Sequence, residues 1–142
     1  MGIEDMPAKV EEEKVEAKPR PDTVKLIRVC VGGWLIPGFG HLLLGRKWRA
    51  LIFFSSIITM FLFGLLMQGE FFSLHSRSYL QVLGYFGELA VGVAMPLAQF
   101  LEYSGNPFFV SADYGTAFLV SAGVLNALTV LDAYDIALGR KP

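Results

Sequence analysis

"GGWLIPGFGHLLLGRKWRALIFF", residues 32–54, sets five glycines and a proline among apolar side chains, then places Arg46, Lys47 and Arg49 within four positions. In water such a run does not hold a helix, because Pro37 removes a backbone donor and each glycine weakens the helix around it. In a bilayer these residues are tolerated where neighbouring helices or local adjustments re-satisfy the backbone. Small residues also let two backbones approach closely, which is how membrane helices gain packing energy. The stretch therefore reads as a tightly turned helical hairpin: an apolar segment, a turn at Gly45, and a second apolar segment. Gly38, Gly40 and Gly45 are its expected helix-packing residues. His41 falls at the turn, where a hydrogen bond is its simplest role, and Arg46, Lys47 and Arg49 fall at the level of anionic headgroups.

The rest of the chain fits that reading. Its 142 residues allow one domain. The composition is 54% hydrophobic and 18% charged, and the charge is unevenly placed. Residues 1–23 hold seven of the thirteen acids and four of the twelve bases, with no aromatic residue. Beyond them too few polar residues remain to cover a soluble domain. The sequence predicts an all-α integral membrane protein: a charged, disordered tail over residues 1–24, then a helical membrane domain over 25–142. The tail lacks the apolar core and cleavage site of a secretory signal.

A helix crossing roughly 30 Å of hydrocarbon needs about 20 apolar residues. Stretches at about 29–45, 50–67, 79–101 and 116–138 meet or approach that length, predicting about four transmembrane or membrane-embedded helices. The flanking lysines and arginines place the N-terminus on the cytoplasmic side. They do so whether the first segment crosses or dips in and returns, so charge alone leaves that choice open. Four crossings with both termini cytoplasmic is the expected topology.

Ionisable groups inside apolar segments are expensive and mark candidate sites. Glu88 lies deep in the third segment, bordering a stripe of small residues (Gly87, Ala90, Ala94, Ala98) expected to contact another helix. Its simplest role is a carboxyl bonded to a neighbouring helix. In the last segment Asn126, Thr129, Asp132 and Asp135 follow one another at i, i+3 spacing and form a polar edge. Asp132 is expected to meet a basic residue or backbone donor of another helix. His41 and His75 each lack a second ligand at helical spacing, so no metal site is expected. One histidine suffices for haem or a pigment, and that reading stays open for both. No nucleophile elbow or phosphate-cradling loop is present and no acid–base pair is spaced for chemistry on one face, so no enzyme activity and no cofactor is predicted. The formal net charge of −1 offers no basic field for nucleic acid, and the single Cys30 excludes an internal disulfide.

Two motifs resemble a known family. Pro37, Gly38, Gly40, His41, Gly45, Arg46 and Arg49, within "PGFGHLLLGRKWRALIFF", are similar to the hairpin of small bacterial membrane proteins related to the two-transmembrane ("TM two") domain. Asp132, Ala133, Tyr134 and Ala137, in "LDAYDIALGRK", resemble the Asp-Ala-Tyr-x-x-Ala signature that closes the last helix of many such proteins. The resemblance implies a bacterial inner membrane and says little of mechanism, since most members have no assigned activity. Two function classes follow. One is a structural or accessory subunit of a larger membrane assembly, such as a respiratory or photosynthetic complex, with the bilayer and other subunits or further copies as partners. The other is a small oligomeric transporter or channel using Glu88, Asn126 and Asp132.

Overall fold

The computed structural model describes residues 22–72 and 79–141. The tail to residue 21, His75 and Arg77 lie outside the described residues. Among the described residues six helices follow in order: α1 (Thr23–Leu35), α2 (Phe39–Leu43), α3 (Lys47–Leu66), α4 (Tyr79–Leu89), α5 (Ala94–Phe100) and α6 (Ala112–Ala137). No strand occurs among the described residues.

Two of these helices are long and apolar enough to cross a membrane. At about 1.5 Å per residue, the 20 residues of α3 span about 30 Å and the 26 of α6 about 39 Å. Their most apolar stretches have mean hydropathies of 2.0 and 1.6, yet only 22% and 33% of those residues are buried. The core helix of a soluble protein would be largely covered instead.

α3 and α6 run antiparallel. Gly64, near the end of α3, lies against Gly115 and Leu119, near the start of α6. α6 is the central element, in contact with α1, α2, α3 and α4. Its buried face is a stripe at helical spacing: Ala112, Gly115, Leu119, Ala122, Gly123, Asn126, Thr129 and Ala133. Leu119 and Ala122 join Ile57 and Phe61 of α3, with Val91 and Ala98, in one apolar cluster.

The remaining elements differ from the expected four spans. The segment expected at 29–45 begins earlier and is broken into two helices, each too short to span a membrane. α1 starts at Thr23, where the Asp22 carboxylate accepts from the Val24 N–H at 3.1 Å. It ends at Leu35, Ile36 is extended, and α2 doubles back so that Gly40 lies against Gly33 and Val29 of α1. Pro37 is the cause: it cannot continue the helix and disfavours helical backbone at the residue before it. The fold-back therefore occurs at Pro37–Gly38, and the Gly45 bend lies at the end where α1 began. Gly45 is also corrected as a packing residue, since no atom lies within 4 Å of where its Cβ would be. What requires glycine there is a φ of +77°, which lets Gly45 and Arg46 donate back to Leu42 and His41 and close α2.

The segment expected at 79–101 is likewise two short helices. α4 ends at Leu89, Gly92 takes a φ of +77°, and α5 returns toward Gly69. The expected stripe of Gly87, Ala90, Ala94 and Ala98 is therefore not one helical face. Gly87 packs on Val120 of α6, whereas Ala98, beyond the break, is part of the apolar cluster. The architecture is two long antiparallel helices and two half-length hairpins, α1–α2 and α4–α5, inserted beside them from opposite ends.

Candidate functional site

Three buried polar side chains, Asn126, His41 and Glu88, tie these pieces together. Asn126 lies near the middle of α6 and is fully buried. Its amide nitrogen donates to the Trp34 carbonyl at 3.2 Å and to the Ala90 carbonyl at 2.8 Å. Trp34 belongs to the last turn of α1, and Ala90 directly follows α4. Carbonyls at a helix end lack partners within the helix, and one side chain here satisfies one from each hairpin. The two hairpins also meet directly, because the Val93 N–H donates to the Leu35 carbonyl at 3.2 Å. Gly92 allows that contact, since a Cβ there would overlap the Trp34 carbonyl. The Asn126 side-chain oxygen has no partner among the described residues.

His41 closes the bundle at the other level. It is fully buried on α2, and its Nε2 lies 3.1 Å from the Asp132 carboxylate of α6. The other Asp132 oxygen accepts from Lys141 at 2.7 Å. Lys141 is brought there by the turn ending α6, in which Gly139 and Arg140 donate back to Ile136 and Asp135. That contact raises the Lys141 pKa above its ordinary value, chiefly through the hydrogen bond to Asp132. The His41 ring also packs on Phe53 of α3, 5.0 Å between centroids. Gly40 makes the approach possible: a Cβ there would lie 2.9 Å from the Val29 carbonyl and 3.1 Å from the Ala133 Cβ. The two sequence motifs, 91 residues apart at His41 and Asp132, are thus one contact.

Glu88, 1% exposed, accepts from the Phe72 N–H at 2.9 Å and holds the link after α3 against α4. Thr129 bonds its own helix at Leu125, and Asp135 pairs with Arg140 and Lys141. The expected polar edge of α6 is therefore divided among separate partners. No group of three or more metal-ligating side chains occurs among the described residues.

The bases gather at one end. Lys25, Arg28, Arg46, Lys47, Arg49, Arg140 and Lys141 gather where α1 and α3 begin and α6 ends. The opposite end carries Glu70, Glu102 and Asp113 and no base among the described residues. There the links interlock: Asn106 donates to Gln68, Ser111 to Met67, and Thr116 pairs with Glu70.

Residues 28–142, all of the hairpins and both long helices apart from the first turns of α1, match a family of unknown function (DUF6677). The chain belongs to this family. No curated protein and no solved structure matches it. In this DUF6677 member the contacts that sequence reasoning missed are glycine contacts on α6. A Cβ on Gly123 would overlap the Gly87 carbonyl of α4, and one on Gly115 would lie 2.6 Å from the Gly69 nitrogen. Their signal was present as small residues at i, i+3, i+4 spacing. It was masked because the outward face of α6 is also apolar, so the helix shows no amphipathic contrast.

Proposed function

We propose that this DUF6677 protein is a non-enzymatic integral membrane protein acting as a structural or accessory subunit of a larger assembly in a bacterial inner membrane. One observation carries the reading: the buried polar groups serve internal ties, while the long helices turn broad apolar faces outward. Asn126, His41–Asp132 and Glu88 hold the hairpins against α3 and α6. Leu51, Ile52, Leu62, Phe63, Leu128 and Leu131, on those helices, are left for lipid or for neighbouring subunits. The clustering of bases at one end orients the N-terminus, the Arg46–Arg49 group and the C-terminus toward the cytoplasm. Two helices of spanning length favour kinship to the two-transmembrane domain proteins. Purification of the tagged chain from its native membrane in mild detergent tests the role. Stable recovery with one large complex is the expected result, and a homo-oligomer alone would overturn it.

A second reading has its own observation. α1 and α4 are discontinuous half-length helices whose carbonyl ends converge on Asn126 near mid-height, the arrangement in which transporters hold cations. An oligomeric transporter would use Asn126 with Glu88 and Asp132. Cation flux into liposomes that is lost in Asn126→Leu and retained in Thr129→Val would favour it over the accessory role.

A further inference from the structure

Between the α1–α2 turn and the first turns of α3 lies a lateral groove of about 450 Å³. That volume falls within the roughly 300–1,000 Å³ of sites that hold small organic ligands. Pro37, Phe39, Leu42, Ala50, Leu51 and Phe54 line it, and Lys47 is its single charged residue. Leu42, Leu51 and Phe54 are exposed, so the groove opens sideways along the outer face of α3. The Pro37–Gly38 fold-back creates it, by stopping α1 short and setting Gly38 directly against the Ala50 carbonyl.

Beside it, sharing Lys47 with the groove, a shallow depression is lined by Arg46, Lys47, Trp48 and Arg49. None of the three bases has an acidic partner among the described residues. Arg46 caps α3 and Lys47 and Arg49 stand on its first turn, which holds no acid, although a helix start favours negative charge. Trp48, 79% exposed, is the kind of aromatic residue that settles at headgroup level.

From this juxtaposition we infer that the groove binds one anionic glycerophospholipid, its acyl chain along Pro37, Phe39 and Leu51 and its phosphate against Arg46, Lys47 and Arg49. The charge beside the groove selects the occupant. A zwitterionic lipid offers the same chain but brings its own cation to three unpaired bases. The inference rests on the membrane reading above and makes it specific: the lipid completes the hairpin–α3 joint at the cytoplasmic end.

Native mass spectrometry of the full chain, released from neutral detergent with phosphatidylglycerol or phosphatidylcholine of matched chains, tests it. The expected result is a single adduct favouring phosphatidylglycerol by roughly tenfold or more at low salt, a preference that shrinks as salt rises. Arg46→Gln, Lys47→Gln and Arg49→Gln together should abolish the preference while leaving a weak adduct with either lipid. Leu51→Phe, which narrows the groove from an exposed position, should weaken both adducts without changing the thermal midpoint. Equal binding of the two lipids, or phosphatidylglycerol selectivity unchanged in the triple variant, would overturn the proposal. So would a dimer without lipid that Leu51→Phe dissociates, which would assign the groove to a second copy. Alkaline extraction separates the two layers of inference. A chain released from membranes at high pH refutes the membrane reading, whereas a retained chain without lipid preference refutes only the lipid site.

Discussion

Asn126 and Thr129 sit one turn apart on the buried stripe of α6, yet their hydroxyl and amide groups do different work. Asn126 bonds two carbonyls of other elements, and Thr129 bonds only Leu125 of its own helix. Interhelical hydrogen bonds in membrane proteins contribute roughly 0.6 kcal/mol on average and up to about 1.7. Asn126→Leu is therefore expected to lower stability by about 1–3 kcal/mol, and Thr129→Val by less than about 0.5 kcal/mol. Thermal unfolding of both variants in one detergent checks the difference, and equal midpoints would remove Asn126 as the clamp. Gly40 and Gly45 form a second contrast. A side chain at Gly40 meets the Val29 carbonyl and Ala133, so Gly40→Val should cost about 1–3 kcal/mol by overpacking and separate His41 from Asp132. Gly45 has open space but a left-handed backbone, so Gly45→Ala should cost about 1–2 kcal/mol through φ alone. Gly45→Asn, which tolerates that conformation better, should recover part of the loss. No recovery would refute a conformational cause.

Among the elements, the half-length hairpins depend on neighbours for their backbone bonds. After Gly92 the next N–H, that of Val93, donates to Leu35 of the other hairpin and not back to α4. The tip of α4–α5 is thus completed by α1, and the pair should fold as a unit. α4 is further seated by glycine contact, Gly87 against Gly123. Gly123→Leu is expected to push α4 off α6, lowering the yield of folded monomer and exposing Glu88. Val124→Leu, one position on and half-exposed, should behave as wild type. Size-exclusion profiles of the two variants decide this, and a normal Gly123→Leu profile would show that the close approach is dispensable.

For the molecule as a whole, the hairpins decide which helix ends lie together. Four crossings would set Arg46 opposite the start of α1. Two crossings and two inserted hairpins set Arg46, Lys25 and Lys141 on one side and Asp113 on the other. In a Cys30→Ser background, single cysteines at Arg46 and Lys141 should label from the cytoplasmic face with a membrane-impermeant maleimide. A cysteine at Asp113 should label from outside. Labelling of Arg46→Cys from outside would restore the four-crossing topology.

Much of this was legible in residues. Apolar runs near twenty residues long give an all-helical chain, because backbone groups within such a run must find their partners inside it. Apolar runs locate α3 and α6 to within a few residues, since length and hydropathy are local properties. Pro37, the glycines, Asn126, His41 and Asp132 stand out as residues that an apolar segment tolerates only with partners. Which partner each takes was decided by tertiary structure. Residues 29–45 and 79–101 are each apolar enough to suggest a crossing, and nothing local says that the chain turns back at Pro37 and Gly92. A half-length helix leaves its terminal carbonyls bare within the apolar layer. Only the opposing hairpin and the Asn126 amide, distant in sequence and joined by packing, supply the hydrogen bonds that make those breaks tolerable.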